Sequence, residues 1–464
     1  MFGRPGVNRF SCFSSCFTFT PLSNGFTSSM QLYNTRNRAD ITDFETAVLR
    51  GLAPGNGLYM PKDLPRLPAS FFESLPDLSF PEMAFQVLNP LIGEEVPEAR
   101  LRKLCKEAFD FPVSLVELDK QTAVLELFHG PSLAFKDFGA RFMARIMGYF
   151  LEKAPRPLHI LVATSGDTGG AVAMGFHHVP GIQVSILFPK GRVSDLQEAQ
   201  LTRLGGNVKA YEIEGSFDDC QRMVKEAFQD PELTRRHGLT SANSINIARL
   251  LSQSLYYFHA WAMVQKKYPG RKLVFSVPSG NFGNVCAGAF AWKMGLPVER
   301  FIAAVNANRI FSDFLATDKF EPKESQATLS NAMDVGNPSN FPRIQELLGT
   351  TAAEIGSLFS STSISDAKTE QAELEMLQAF GYAGEPHLAV GYAAWKQFQS
   401  SFSEETIGVI LGTAHPAKFI PALPQELKSR VEIPDALSRL LAFPSQKITL
   451  PPQLEVLAHH LNQA

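Results

Sequence analysis

The chain has 464 residues, 45% of them hydrophobic and 19% charged, with a formal net charge of -3. No apolar run reaches the ~20 residues of a membrane span, and no basic block provides the electrostatic footprint of a nucleic-acid binder. Membranes and nucleic acid are therefore not expected as partners, whereas small anions need only a local cluster of donors.

Residues 1–29, MFGRPGVNRFSCFSSCFTFTPLSNGFTSS, hold Arg4 and Arg9, many Ser and Phe, and no acidic residue. That composition fits an organelle transit peptide loosely. It fits a start upstream of Met30 somewhat better, because MQLYNTRN opens ordinary globular sequence. The segment is expected to lie outside the fold. The five cysteines, at positions 12, 16, 105, 220 and 286, form no zinc or disulfide framework. They are expected to be idle thiols in a reducing, cytoplasmic setting, and no metal is expected.

Residues 30–118 read as a helical, loop-rich N-terminal domain. ITDFETAVLRGLAPGNGLYMP predicts a helix stopped by glycine and proline, and EEVPEARLRKLCKEAFDF predicts a second, amphipathic one. From residue 119 to 425 a theme repeats. LHILVAT, SGDTGG and AVAMGFHHV give strand, glycine-rich turn and helix; KLVFSVP, SGNFGN and VCAGAFAWKMG give the same order about a hundred residues later. VSILFPKG, VKAYEIEG, RFIAAVN and IGVILGT add further strands. Strands alternating with helices predict an α/β protein with parallel-rich sheets and helices on both faces. Ligands in such sheets bind beyond the carboxyl ends of the strands, where these loops fall. Residues 426–464 predict a proline-punctuated helical tail packed on the outside.

Four loops and one lysine could carry chemistry. Lys136 follows Gly130, Pro131 and Ser132 and stands between Phe135 and Phe138 at a predicted helix start. A lysine held in apolar surroundings loses basicity and gains nucleophilicity; the alternative is a surface lysine whose stem lies along the rings. In PSGNFGN, Gly280 and Gly283 let several N–H groups and a helix N-terminus converge on an anion; an ordinary βα turn is the alternative. This loop matches neither the dinucleotide fingerprint nor a P-loop. TSGDTGG offers hydroxyls on Thr164, Ser165 and Thr168 that could grip a carboxylate, or Ser165 and Asp167 could merely cap the helix. SANSINIARL supplies Asn243, Asn246 and Arg249, the last a fork suited to phosphate. LGTAHPAKF supplies Thr413, His415 and Lys418, with Lys418 read as a solvated lysine in a turn. A poised lysine, a phosphate cradle and a carboxylate grip together describe a site for pyridoxal phosphate, which joins lysine as a Schiff base.

ELFHGPSLAFKDFG, ATSGDTGGAVA, SANSINIARLL, VPSGNFGN, QATLSNAMDVGNPSNFPR and GTAHPAKF, in this order from Met30 to about residue 425, closely resemble the threonine synthase family. The resemblance implies pyridoxal-phosphate fold type II, the tryptophan synthase β-like fold shared with serine/threonine dehydratases. It implies a carbon–oxygen lyase that turns O-phospho-L-homoserine and water into L-threonine and phosphate, as monomer or homodimer. It makes Lys136 the cofactor lysine, sets Gly280, Asn281, Phe282 and Gly283 around the cofactor phosphate, and puts Thr413 by the ring nitrogen. It suggests Ser165 and Thr168 for the substrate carboxylate, and Asn246 and Arg249 for the substrate phosphate. Ser132 stands where many relatives have Thr. Asp167 stands where the wider superfamily often has Asn beside the ring hydroxyl; a carboxylate there would repel a phenolate, and its role stays open. Two other outcomes fit the same residues: a phospho-lyase ending at 2-oxobutyrate, and a ligand-binding relative without catalysis, against which the retained Lys136 argues.

Overall fold

Alternation of side chains builds the centre of the molecule. The computed structural model describes residues 30–462, so the extension 1–29 lies outside the described residues. In chain order the strands are β1 (Leu32–Asn34), β2 (Asn37–Thr42), β3 (Tyr59–Pro61), β4 (Ser114–Glu117), β5 (Thr122–Glu126), β6 (Leu158–Ala163) and β7 (Ile182–Pro189). They continue as β8 (Val208–Ile213), β9 (Leu239–Thr240), β10 (Lys272–Pro278), β11 (Arg300–Val305), β12 (Phe359–Ser363), β13 (Thr406–Gly412) and β14 (Lys447–Leu450).

Six strands form one sheet in the order β12-β11-β10-β13-β5-β4, parallel except for β4, which runs antiparallel to β5. Five form a second sheet, β14-β8-β7-β6-β9, parallel throughout. Both are covered on both faces, as parallel sheets require. In β10, Leu273, Phe275 and Val277 enter the large core while Val274 enters a second one with Ile302, Ile410 and Trp395. In the five-stranded sheet Ile160 and Val162 face the large core, and Leu161, Tyr211 and Ile213 face a third. The predicted α/β class, with parallel-rich sheets, is what the chain adopts.

Two regions differ from expectation. Residues 30–118 do contain the predicted helices, Phe44–Arg50 and Glu98–Ala108. They also contain a three-stranded antiparallel sheet, β2-β1-β3, and they end in β4 of the six-stranded sheet. The tail 426–464 is not wholly helical. Its β14 pairs in parallel with β8 and forms the edge of the five-stranded sheet. Four residues flanked by prolines give almost no periodic signal, and pairing with an already formed strand supplies what local propensity lacks. Lys447 secures the edge by bonding Glu198 at 2.9 Å and Glu212 at 2.8 Å.

The N-terminal helices buttress the helix Lys136–Lys153. Phe138 packs in a cluster with Phe80, Phe109, Phe111 and Tyr256 at ring separations of 4.9–6.1 Å. Arg141 donates to the carbonyls of Ala108 and Glu107 at 2.9 and 2.8 Å, tying that helix to the C-terminal end of Glu98–Ala108.

Trp395 lies flat against β13 where that strand has no side chain. A Cβ placed on Gly408 would fall 2.2 Å from the indole, and the indole N–H donates to Thr122 of the neighbouring strand at 3.1 Å. Gly408→Ala is therefore expected to destabilise the protein by about 1–3 kcal/mol through overpacking, seen as a lower denaturation midpoint; an unchanged midpoint would show that the indole can move aside.

Candidate active site

The lysine loop is fastened to the end of β13. Leu127 N–H donates to Gly412 O at 3.0 Å, Phe135 N–H to Thr413 O at 2.8 Å, and His415 N–H to Leu133 O at 3.0 Å, with Ala134 and Ala414 bridged antiparallel. To meet these bonds Leu133 takes φ 56°, a conformation that non-glycine residues seldom adopt. Gly130 has no room for a side chain: a Cβ there would meet the Asp137 carboxylate at 2.4 Å. Ser132 N–H in turn donates to that carboxylate at 2.8 Å. The result places Lys136 at the start of its helix and Thr413 beside it, beyond the carboxyl end of β13.

Lys136 is not a surface lysine. Its side chain is 15% exposed and its Nζ lies 3.9 Å from Asp167 Oδ2. Burial lowers its pKa to about 8; Lys418 and Arg249 act in the same direction, against Asp167 and Glu385. Of the two flanking aromatics only Phe135 stays beside the amine, with its ring centre 5.7 Å away; Phe138 belongs to the core described above.

The TSGDTGG loop ends β6 and begins the helix Asp167–Phe176. Its cap is Thr164, whose Oγ1 accepts from the N–H groups of Gly166 and Gly169 at 3.0 and 2.8 Å. Neither Ser165 nor Asp167 caps the helix, and the hydroxyls of the partly exposed Ser165 and Thr168 are left for a ligand. Asp167 is buried. Its Oδ1 accepts from Lys418 Nζ at 2.7 Å and from Gln197 Nε2 at 3.0 Å. Burial opposes its charge, but Lys418, Lys136 and these bonds outweigh burial and hold it well below the usual carboxylate range.

The glycine loop after β10 leads into the helix Gly283–Lys293, whose N-terminus no side chain caps. Phe282, buried at φ 60°, is its N-cap residue. An uncapped helix start presents N–H groups to an anion. Both glycines are dictated by space, since neither has a positive φ. A Cβ on Gly280 would meet Met333 Cα at 2.7 Å, and one on Gly283 would meet Ser244 Cβ at 2.9 Å. Asn281 is structural in its side chain: Nδ2 donates to Ser244 Oγ at 2.9 Å and Oδ1 accepts from Ser339 N–H at 2.6 Å.

Arg249 is 2% exposed, on the helix Ile247–Gln253 under the lysine helix. Its Nη1 donates to Ala242 O at 2.6 Å, while Nε has no partner. Burial lowers its pKa to about 10. Asn246 is fully buried and committed elsewhere. Its Oδ1 caps the helix by accepting from Ala248 N–H at 3.0 Å, and its Nδ2 donates to Val48 O at 2.9 Å. The structure thus gives Asn246 a capping role in place of the expected phosphate contact.

Lys418 is the residue that sequence reasoning misplaced. It is fully buried, and its Nζ bonds Ser132 O at 2.9 Å as well as Asp167. A lysine after His-Pro-Ala in a turn carries no sign of burial, and lysines are almost never fully buried unless paired; the partner that permits it lies 251 positions earlier in sequence. Ser244 and Gln197 were missed for the same reason, since each matters only through contacts made in three dimensions.

Lys136 can bond an aldehyde, the uncapped helix after β10 can hold a phosphate, and Thr413 and Ser165 carry hydroxyls near the lysine. Those features fit pyridoxal phosphate. A family model described as "Pyridoxal-phosphate dependent enzyme" matches residues 115–412, and that is the class of the chain. Two more, "Threonine synthase N terminus" and "Threonine synthase, C-terminal", match residues 31–109 and 389–460. The chain is 42% identical to threonine synthase of Escherichia coli strain K12 over 91% of its own length and 97% of that protein. The crystal structure of the Escherichia coli enzyme superposes with a TM-score of 0.85 at 40% identity, covering 94% of this chain and all of the other. A structure of threonine synthase from Brucella melitensis with bound pyridoxal phosphate gives 0.86 at 36% identity, covering 94% and 99%. The chain belongs to the threonine synthase family.

Gly280→Val should push the segment Ala332–Met333 away from the glycine loop and weaken retention of pyridoxal phosphate on dialysis. Full retention with an unchanged melting temperature would show that the loop is a plain turn.

Proposed function

We propose that the chain converts O-phospho-L-homoserine and water into L-threonine and phosphate, with Lys136 as the cofactor lysine. The observation that carries this is a largely buried lysine of lowered basicity, 3.9 Å from Asp167 and within the field of Arg249, where loops from both large sheets meet. Bound pyridoxal phosphate supplies an electron sink that acidifies the substrate α-carbon. The chain supplies the rest. Lys136 would hold the cofactor through its amine and would carry protons at Cα and Cβ of the substrate. The N–H groups around Gly280, Asn281, Phe282 and Gly283 hold the cofactor phosphate. The hydroxyl of Thr413 would serve the cofactor's ring nitrogen as a neutral partner. Ser165 and Thr168 grip the substrate carboxylate. Water enters at Cβ after phosphate has left Cγ.

Arg249 is the proposed partner of the substrate phosphate. A buried guanidinium whose one bond is to a carbonyl is under-satisfied, and a dianion would complete it through paired charge-assisted bonds. The same contact stabilises charge as the Cγ–O bond breaks. Asn246 serves this group indirectly, by capping the helix that carries it. The free, buried Cys105, Cys220 and Cys286 support a reducing, cytoplasmic setting.

Lys136→Ala is expected to abolish turnover and to prevent borohydride from fixing the cofactor to the chain; wild-type-like fixation would move the cofactor lysine elsewhere. Arg249→Lys should impair turnover of O-phosphohomoserine, and Arg249→Ala should reduce it further, by ~10²–10³, the usual cost of one lost transition-state contact. Cofactor retention should survive both changes, because its phosphate has its own loop. Near-normal kinetics in folded Arg249→Ala would refute the substrate-phosphate assignment.

A further inference from the structure

Asp167 is shared unequally between two lysines. Its Oδ1 is saturated by Lys418 at 2.7 Å and Gln197 at 3.0 Å, while its Oδ2 faces Lys136 at 3.9 Å, too far for a hydrogen bond. Lys418 is itself locked. It has no exposed surface, its Nζ bonds Ser132 O in the lysine loop, and its own carbonyl accepts from Ser194 Oγ at 3.0 Å. Ser194 and Gln197 form the capping box of the helix Asp195–Thr202, so Gln197 reaches Asp167 from a fixed backbone. Lys418 therefore joins the segment after β13, the lysine loop and the start of the helix Asp167–Phe176 through one ammonium.

A carboxylate beside a lysine normally holds it as the ammonium, which is unreactive toward carbonyls. We propose that Lys418 is a positioning residue that acts through Asp167: as the permanent counter-ion of that carboxylate, it fixes which oxygen faces Lys136 and leaves Lys136 available as a neutral amine. The proposal rests on Lys136 being the cofactor lysine. It also gives Asp167 a role. A carboxylate already paired with a buried ammonium is close to a neutral, oriented dipole, and can stand next to an oxyanion without the repulsion that an unpaired aspartate would bring.

The charged and titratable groups around Lys136 are Asp167, Lys418, Arg249 and Glu385, with Asp137 next to it on its own helix. Asp137, raised to about 6 by burial against the bonds from Ser132, also feels Lys418. His415, lowered to about 4 by burial, feels it too. Both lie below the window between pH 7 and 9, whereas Glu373, raised to about 9 by burial and by Glu385, lies at its upper end, so the cofactor absorbance is read as shifts between variants that all keep Glu373. Removing the Lys418 charge leaves Asp167 to act on Lys136 alone and must raise the midpoint. Removing the Asp167 charge must lower it.

The test is a pH titration of the cofactor absorbance in the loaded protein. Borohydride reduction and peptide mapping of the wild type come first: label on a residue other than Lys136 overturns the lysine assignment and the proposal with it. With label on Lys136, Lys418→Met is expected to raise the midpoint by about one to three units, the usual effect of an uncompensated opposite charge at this range. Lys418→Arg should stay close to wild type, and Asp167→Asn should shift the midpoint down. The double variant Asp167→Asn/Lys418→Met should keep the lowered midpoint of Asp167→Asn, because the effect of Lys418 passes through Asp167. A purely structural Lys418 would lower the melting temperature of Lys418→Met and leave its midpoint in place, which would overturn the proposal. So would a double variant whose midpoint lies clearly above that of Asp167→Asn, which would show Lys418 acting on Lys136 directly. If Lys418→Met does not fold, Asp167→Asn decides alone: an unmoved midpoint shows that Asp167 does not set the state of Lys136, and the proposal fails.

Discussion

The short antiparallel contact between Leu133–Phe135 and Thr413–His415 is the constraint on which the site depends. A lysine at the start of a helix would ordinarily extend into water, where its ammonium is best solvated. Here main-chain groups of the preceding loop are bonded to the end of β13, so the position of Lys136 is set first by the sheet, with Lys418 and Asp137 fastening the same loop through Ser132. The cost is a leucine in the left-handed region, which is worth about 1–3 kcal/mol of strain and persists because bonds on either side over-determine it. The contact also brings Thr413 and Lys136 to the same edge of the six-stranded sheet, although they are far apart in sequence.

From that placement the electrostatics follow. The six-stranded sheet contributes Lys136, Thr413 and the glycine loop after β10; the five-stranded sheet contributes Ser165, Asp167 and Thr168. Where their carboxyl ends face one another, burial would neutralise each ionisable group taken singly. It lowers Lys136 and Arg249 and raises Asp137. Asp167 goes the other way from Asp137, because Lys418, Lys136 and the Gln197 amide outweigh its burial. The site is thus a place where one carboxylate is held charged and one lysine is brought near neutrality, which is the pairing that carbonyl and proton-transfer chemistry near pH 7–8 calls for.

What could be seen in the sequence and what could not divides along the range of the interaction. The parallel sheets were legible through β6, β7, β8, β10, β11 and β13, β-rich runs that lead into turn residues, a signal carried by adjacent residues; β12, whose sequence is FSSTS, carries none. Lys136 was legible because its neighbours are unusual for a lysine. β14 was not, since KITL is four residues long and exposed at all but Leu450. The cap of the helix Asp167–Phe176 fell to Thr164 and not to Ser165 or Asp167, because the chain bends at Gly166, φ 137°, and brings the earlier hydroxyl under the first turn. Asn246 looked like a ligand group beside Arg249, yet its amide meets Val48, 198 positions away. Lys418 was hidden most completely, since its burial is possible only when Asp167, Ser132 and Gln197 are already in place.

The two anion sites are joined by a network that local sequence does not announce. Ser244 Oγ accepts from Asn281 Nδ2 in the glycine loop and from Asn340 Nδ2 at 3.2 Å. Arg343, fully buried, donates to Asn340 Oδ1 at 2.8 Å and to the carbonyls of Tyr59 and Ile245 at 3.0 and 2.7 Å. Apart from the bond to Tyr59 in β3, these bonds end on segments proposed to hold a phosphate or leading to one: Asn281 belongs to the loop proposed for the cofactor phosphate, and Ser244 and Ile245 precede the helix of Arg249. A shift of Ser244 would therefore be felt at both. The close approach of Gly283 to Ser244 removes the slack that would let one loop move without the other. Since a misplacement of about 1 Å at a reacting centre can cost two orders of magnitude in rate, a shared scaffold for cofactor and substrate anions keeps their separation fixed, and Arg343, which touches neither, is the side chain that holds the scaffold together.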